Sequence, residues 1–100
     1  MKYNKLVRDK IPEYIKKKDG MPVIHIAKDE EYWEKLKEKL HEEIKEFCES
    51  ETVEEMVDIM EVLEAICKYK KIKKKKLETV KKNKLKERGG FKKKIILEES

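Results

Sequence analysis

The chain has two cysteines among its 100 residues, Cys48 and Cys67, and neither sits in a spacing that thiolate metal sites use. They read as two reduced thiols, which points to a cytoplasmic protein. MKYNKLVRDK has no apolar run after its first lysine, so no secretory leader is expected. No apolar stretch approaches the roughly 20 residues that a membrane helix needs. Three glycines and two prolines leave no composition for a linker, and no segment repeats, so residues 1–100 read as a single domain. Aromatic residues make up 7% of the chain. The basic C-terminal part holds only Tyr69 and Phe91, so it lacks the stacking platforms of a single-strand nucleic-acid binder.

Charge is what the chain has in abundance, at 49% of residues against 38% hydrophobic. The apolar residues are few but strongly patterned, which argues for a fold rather than disorder. The net charge of +5 conceals a division. Residues 29 to 64 carry a net −11, and residues 68 to 94 carry a net +13. An acidic middle beside a basic end suggests a polyanion held with the help of cations. The run KKIKKKK taken alone reads as a solvated lysine-rich turn.

Helical periodicity dominates the chain. Asp9 is expected to cap a short helix through KIPEYIKKK, with Pro12 in its first turn and Asp19-Gly20 at its end. Asp29 is expected to cap a long helix over about residues 30–49, with Trp33, Leu36, Leu40, Ile44 and Phe47 at spacings of three and four. Thr52 and Glu55 form a capping-box start for a more apolar helix ending near Tyr69. A basic helix over about residues 73–88 ends at Gly89-Gly90. PVIHIA and FKKKIIL read as strands, and residues 22–27 and 91–97 are expected to pair. The expected fold is mainly α with a small two-stranded β element formed near both ends.

Both long helices carry more acid than amphipathicity needs. At about 100° per residue, Glu43 and Glu46 fall on one flank of the stripe centred on Leu40. In the next helix Glu55 lies within the apolar arc between Ile59 and Val62, and Asp58 lies just beyond Val62. Each helix thus offers an i, i+3 acid pair, and a short turn should bring the two edges together. Crowded carboxylates repel, and a divalent cation relieves the repulsion. An all-oxygen ligand set favours Mg²⁺ or Mn²⁺. Both histidines, His25 in the expected strand and His41 on the polar side of its helix, read as structural. The acids also have a simpler reading, in which Glu-rich helices present a solvated face and Glu55 only completes a cap.

EEIKE at 42–46 followed by EMVD at 55–58 resembles the EExxE…ExxD signature of the MazG-like all-alpha nucleoside triphosphate pyrophosphohydrolases. The opening YNKLVRDKIPEYI and the closing KERGGFKKKIIL are similar to a small, phosphoribosyl-ATP pyrophosphohydrolase-like branch of that superfamily. The resemblance implies a MazG-like antiparallel helix bundle, with metal ligands at Glu43, Glu46, Glu55 and Asp58 and a more variable role for Glu42. Only residues 47 to 54 separate the two motifs, a shorter gap than in many members.

The resemblance implies Mg²⁺-dependent hydrolysis of a nucleoside triphosphate between its α- and β-phosphates, with house-cleaning of non-standard nucleotides as one role. Glu42 or Glu46 would orient the attacking water. Lys84 and Arg88, at i, i+4 on the basic helix, would meet phosphate, with Arg8 and Lys10 as further candidates. Two alternatives stand beside it: phosphoribosyl-ATP hydrolysis in histidine biosynthesis, and a non-catalytic helical dimer that binds nucleotide or nucleic acid. The apolar arc of the third helix covers more than one neighbouring helix can bury, which predicts a homodimer or larger assembly.

Overall fold

The computed structural model describes residues 4–100 and contains four helices: α1 (Ile11–Lys17), α2 (Asp29–Ser50), α3 (Val53–Tyr69) and α4 (Lys74–Arg88). Residues 51 and 52 join α2 to α3. Glu51 turns the chain with a left-handed φ of 55° and donates its N–H to the Phe47 carbonyl at 2.7 Å. So short a connection forces α2 and α3 into an antiparallel hairpin. They are the only pair of helices in contact among the described residues.

The hairpin's core is thin. Leu36 is 1% exposed and is the one fully buried side chain among the described residues. Along the rest of the hairpin, Leu40 and Phe47 of α2 and Ile59, Val62 and Ile66 of α3 are half-buried. At the open end Trp33 stacks on Tyr69 with ring centroids 5.0 Å apart, and Tyr32 meets Tyr69 edge-on. The segment before α1 lies across the hairpin, anchored by Arg8 on Asp58 and Glu61 and by Lys5 on Glu42. α4 projects from the hairpin, and the molecule measures 55 × 31 × 24 Å.

Three expectations from the sequence need correction. The first is the β element: no residue from 4 to 100 forms a strand, so residues 22–27 and 91–97 do not pair. Val23 and Phe91 are each 98% exposed, so neither segment has a surface to lean on. Residues 91–93 form a turn, and Lys94, at φ 58°, donates to the Phe91 carbonyl, which breaks the run that strand pairing needed. A two-stranded ribbon with no helix covering it would be marginal in any case.

The second and third concern helix caps. Neither Asp9 nor Asp29 caps a helix. The N-cap positions are Lys10 and Lys28, without side-chain caps. Asp29 lies inside the first turn of α2 with Glu30 and Glu31, where carboxylates offset the helix dipole. Thr52 does cap α3, its hydroxyl accepting from the Glu55 N–H at 3.3 Å.

Candidate metal centre

The hairpin brings its two acid motifs together. Glu43 from α2 and Glu55 and Asp58 from α3 each present a carboxylate oxygen within 4.8 Å of the others. Three features of the local sequence produce this. The i, i+3 spacing puts Glu55 and Asp58 on one side of α3, Thr52 fixes where α3 begins, and the short connection sets the register against α2. Glu43 is 5% exposed, the one buried charged residue among those described. Its Oε2 and that of Glu55 are buried without a hydrogen-bond partner. A buried carboxylate oxygen without a donor costs stability, so such atoms call for an explanation.

Glu46, the fourth expected ligand, stays outside this trio but adds its negative charge to the field at Glu55. Glu42 faces elsewhere, held by Lys5 at 3.4 Å and Lys39 at 3.5 Å.

The trio's countercharges are unevenly distributed. Lys39, one turn before Glu43, reaches it at 3.1 Å. Despite the cost of its own partial burial, the Lys39 ammonium is held above its ordinary pKa by hydrogen bonding to Glu43 and the fields of Glu42 and Glu43. Arg8 spans Asp58 and Glu61, with Nη1 on Glu61 at 2.9 Å and Nη2 on both carboxylates. These bonds, Glu61 first, raise the guanidinium pKa further, and Arg8 in turn draws Glu61 below the usual carboxylate range.

Glu55 has no basic partner among the described residues. Loss of hydration, the hydrogen-bonding proximity of Glu43 and the charges of Glu46, Glu43 and Asp58 push its carboxyl up to about 7. Two basic side chains therefore serve three carboxylates, and the one left over is the one facing the other two.

Oxygen ligands on one Mg²⁺ lie about 3–4 Å apart, so small side-chain rotations would bring the trio to a hard divalent ion. The donor set is all oxygen, and the two orphaned oxygens would gain a partner. The residues fit such an ion.

The expected phosphate-binding residues are scattered. Arg8 lies beside the trio, but as a partner of its acids. Lys10 is exposed at the start of α1. Lys84 and Arg88 are exposed on α4, which touches no other helix of the chain. Glu61 enters the site through Arg8, a pairing that spans 53 residues and that no local pattern in the sequence signals.

No protein-family model matches the chain, and no solved structure matches it. An uncharacterized protein of Mycolicibacterium smegmatis (strain ATCC 700084 / mc(2)155) is 47% identical over 47 residues, which is 47% of this chain and 48% of that protein. The matched region thus spans about half the length of each, and the relative's name carries no activity. No helix among the described residues is long and apolar enough to cross a membrane.

Proposed function

We propose that the chain is a Mg²⁺- or Mn²⁺-dependent nucleoside triphosphate pyrophosphohydrolase, acting in the cytoplasm and yielding a nucleoside monophosphate and pyrophosphate. One observation carries this reading. The acids at the EExxE…ExxD positions, 43, 55 and 58, converge from two helices, and two of them hold buried oxygens that lack a donor. A solvated acidic face would leave those oxygens to water.

Glu43, Glu55 and Asp58 would hold the ion, which when bound would offset phosphate charge and favour ionisation of a nearby water. Of the two candidates for orienting that water, Glu46 is the better. Glu42 is committed to Lys5 and Lys39, whereas Glu46 makes no ion pair among the described residues and lies close enough to act on Glu55. Glu46 would accept the water's proton as the water oxygen bonds to the α-phosphorus, the α–β anhydride bond breaks, and pyrophosphate leaves. Arg8 keeps N–H donors beyond its bonds to Asp58 and Glu61, so it supplies positive charge at the rim. A homodimer or larger assembly belongs to the same reading, because α3 leaves Val53, Met56, Val57, Met60 and Leu63 exposed.

The test is turnover of a panel of standard and non-standard nucleoside triphosphates and phosphoribosyl-ATP, with Mg²⁺, with Mn²⁺ and with chelator. The expected products are monophosphate and pyrophosphate, formed only with metal. Orthophosphate release without pyrophosphate, or no turnover of any nucleotide, sinks the proposal.

A further inference from the structure

α4 is the part of the molecule that the fold leaves unexplained. It holds eight basic and two acidic residues in 15 positions, touches no other helix, and no ion pair among the described residues reaches it. A lone helix of this length is marginal in water, and self-repulsion of a net +6 makes it worse. Its apolar residues Leu77, Val80 and Leu85 are all partly exposed. A helix with these features needs an acidic surface with apolar ground beside it. The α2–α3 hairpin is such a surface: residues 29 to 64 within it carry a net −11, and it exposes Met56, Val57 and Met60. Within one chain α4 does not reach that surface.

We infer that α4 docks on the α2–α3 hairpin of a second copy, and that the copies do so reciprocally. Charge complementarity favours this occupant: each copy offers one strongly basic helix and one strongly acidic hairpin, so an isologous pair cancels both excesses at once. Leu77 and Val80, at i, i+3, give α4 a short apolar edge to lay against the exposed face of α3. The docking places Lys84 and Arg88 beside the partner's carboxylates. If the chain hydrolyses nucleotides as proposed above, the site is incomplete in a single copy: the acids come from one chain and the phosphate-binding cations from the other.

Zero-length carbodiimide cross-linking of the full chain tests the docking without recourse to activity, because it joins carboxylates and amines only where they touch. Equal amounts of ¹⁵N-labelled and unlabelled protein are refolded together, cross-linked and digested, and the linked peptides are read by mass spectrometry. Links from Lys81, Lys82 or Lys84 to acids of α2 or α3 are expected, with roughly half of those pairs carrying one labelled and one unlabelled peptide, as random pairing in a two-fold dimer gives. Links confined to single-isotope pairs would place α4 on its own hairpin and overturn the inference. A dimer with no α4-to-hairpin links overturns it as well. Mixed links in a protein that turns over no nucleotide would uphold the docking while removing the proposed reaction.

Discussion

Glu43 and Glu55 face one another across the α2–α3 hairpin, each with its Oε2 buried and without a hydrogen-bond donor. Their situations differ. Glu43 has Lys39 one turn away at 3.1 Å, whereas Glu55 has only acids around it. The pair is thus a carboxylate paired with a lysine beside a carboxyl that favours its proton. The metal-free fold tolerates this arrangement at some cost in stability, and a divalent ion would reverse the preference of Glu55.

The first expected outcome follows from that proton. Glu55 in the folded protein titrates near 7, above the ordinary carboxylate value of 4.5. Between those two pH values the native state binds more protons than the unfolded one, so stability falls as pH rises through the window and levels off above it. Urea melts of chelator-treated protein across that range should show the decline, and Glu55→Gln should flatten it. A wild-type profile that rises or stays level there would contradict the assignment.

Glu55→Gln also separates a metal ligand from a helix cap. The Thr52 cap uses the backbone N–H of Glu55, and the Glu55 side chain retains a buried oxygen without a partner, so the substitution leaves the cap in place. At about one hundred times its dissociation constant, Mg²⁺ should stabilise wild type by about 2.7 kcal/mol. The variant should lose most of that gain. Equal Mg²⁺ shifts in thermal melts of the two proteins would dismiss the trio as a metal site.

Arg8→Ala removes the fork across Asp58 and Glu61. Arg8 is half-exposed, so the expected stability loss is small and shrinks as salt is raised. The sharper readout is titration. Arg8 lowers the Glu61 pKa, a contribution present above the unfolded value and lost as pH falls through the folded one. In the variant, carboxyl NMR should show Glu61 titrating back toward the ordinary range. An unmoved Glu61 would show that the fork does not persist in solution.

Leu36→Ala tests how much of the fold rests on the hairpin core. Leu36 is 1% exposed, whereas the residues around it are mostly half-buried and can relax inward. The expected loss is therefore near the lower end for such truncations, about 2–3 kcal/mol in a urea melt. A loss below about 0.5 kcal/mol, the range of surface substitutions, would mean that α2 and α3 are not held together at that point.

The sequence alone determined the helices. The period of Trp33, Leu36, Leu40 and Phe47, the Thr52 cap and the stop at Gly89 are local signals, and the structure follows them within a residue or two at each end. It also placed Glu43, Glu55 and Asp58 on the inner edges of two helices joined too briefly to do anything but fold back. Tertiary structure decided the rest, because the deciding partners lie far apart in the chain. Residues 22–27 and 91–97 have strand-like composition, but a strand exists only through its pairing, and α4 carries the second segment away from the hairpin. Arg8 had the charge for a phosphate ligand, and only the path of the chain across α3 shows that it meets Asp58 and Glu61. Periodicity fixes which face a residue shares with its own helix, whereas the countercharge at a carboxylate depends on which distant segment comes to lie against it.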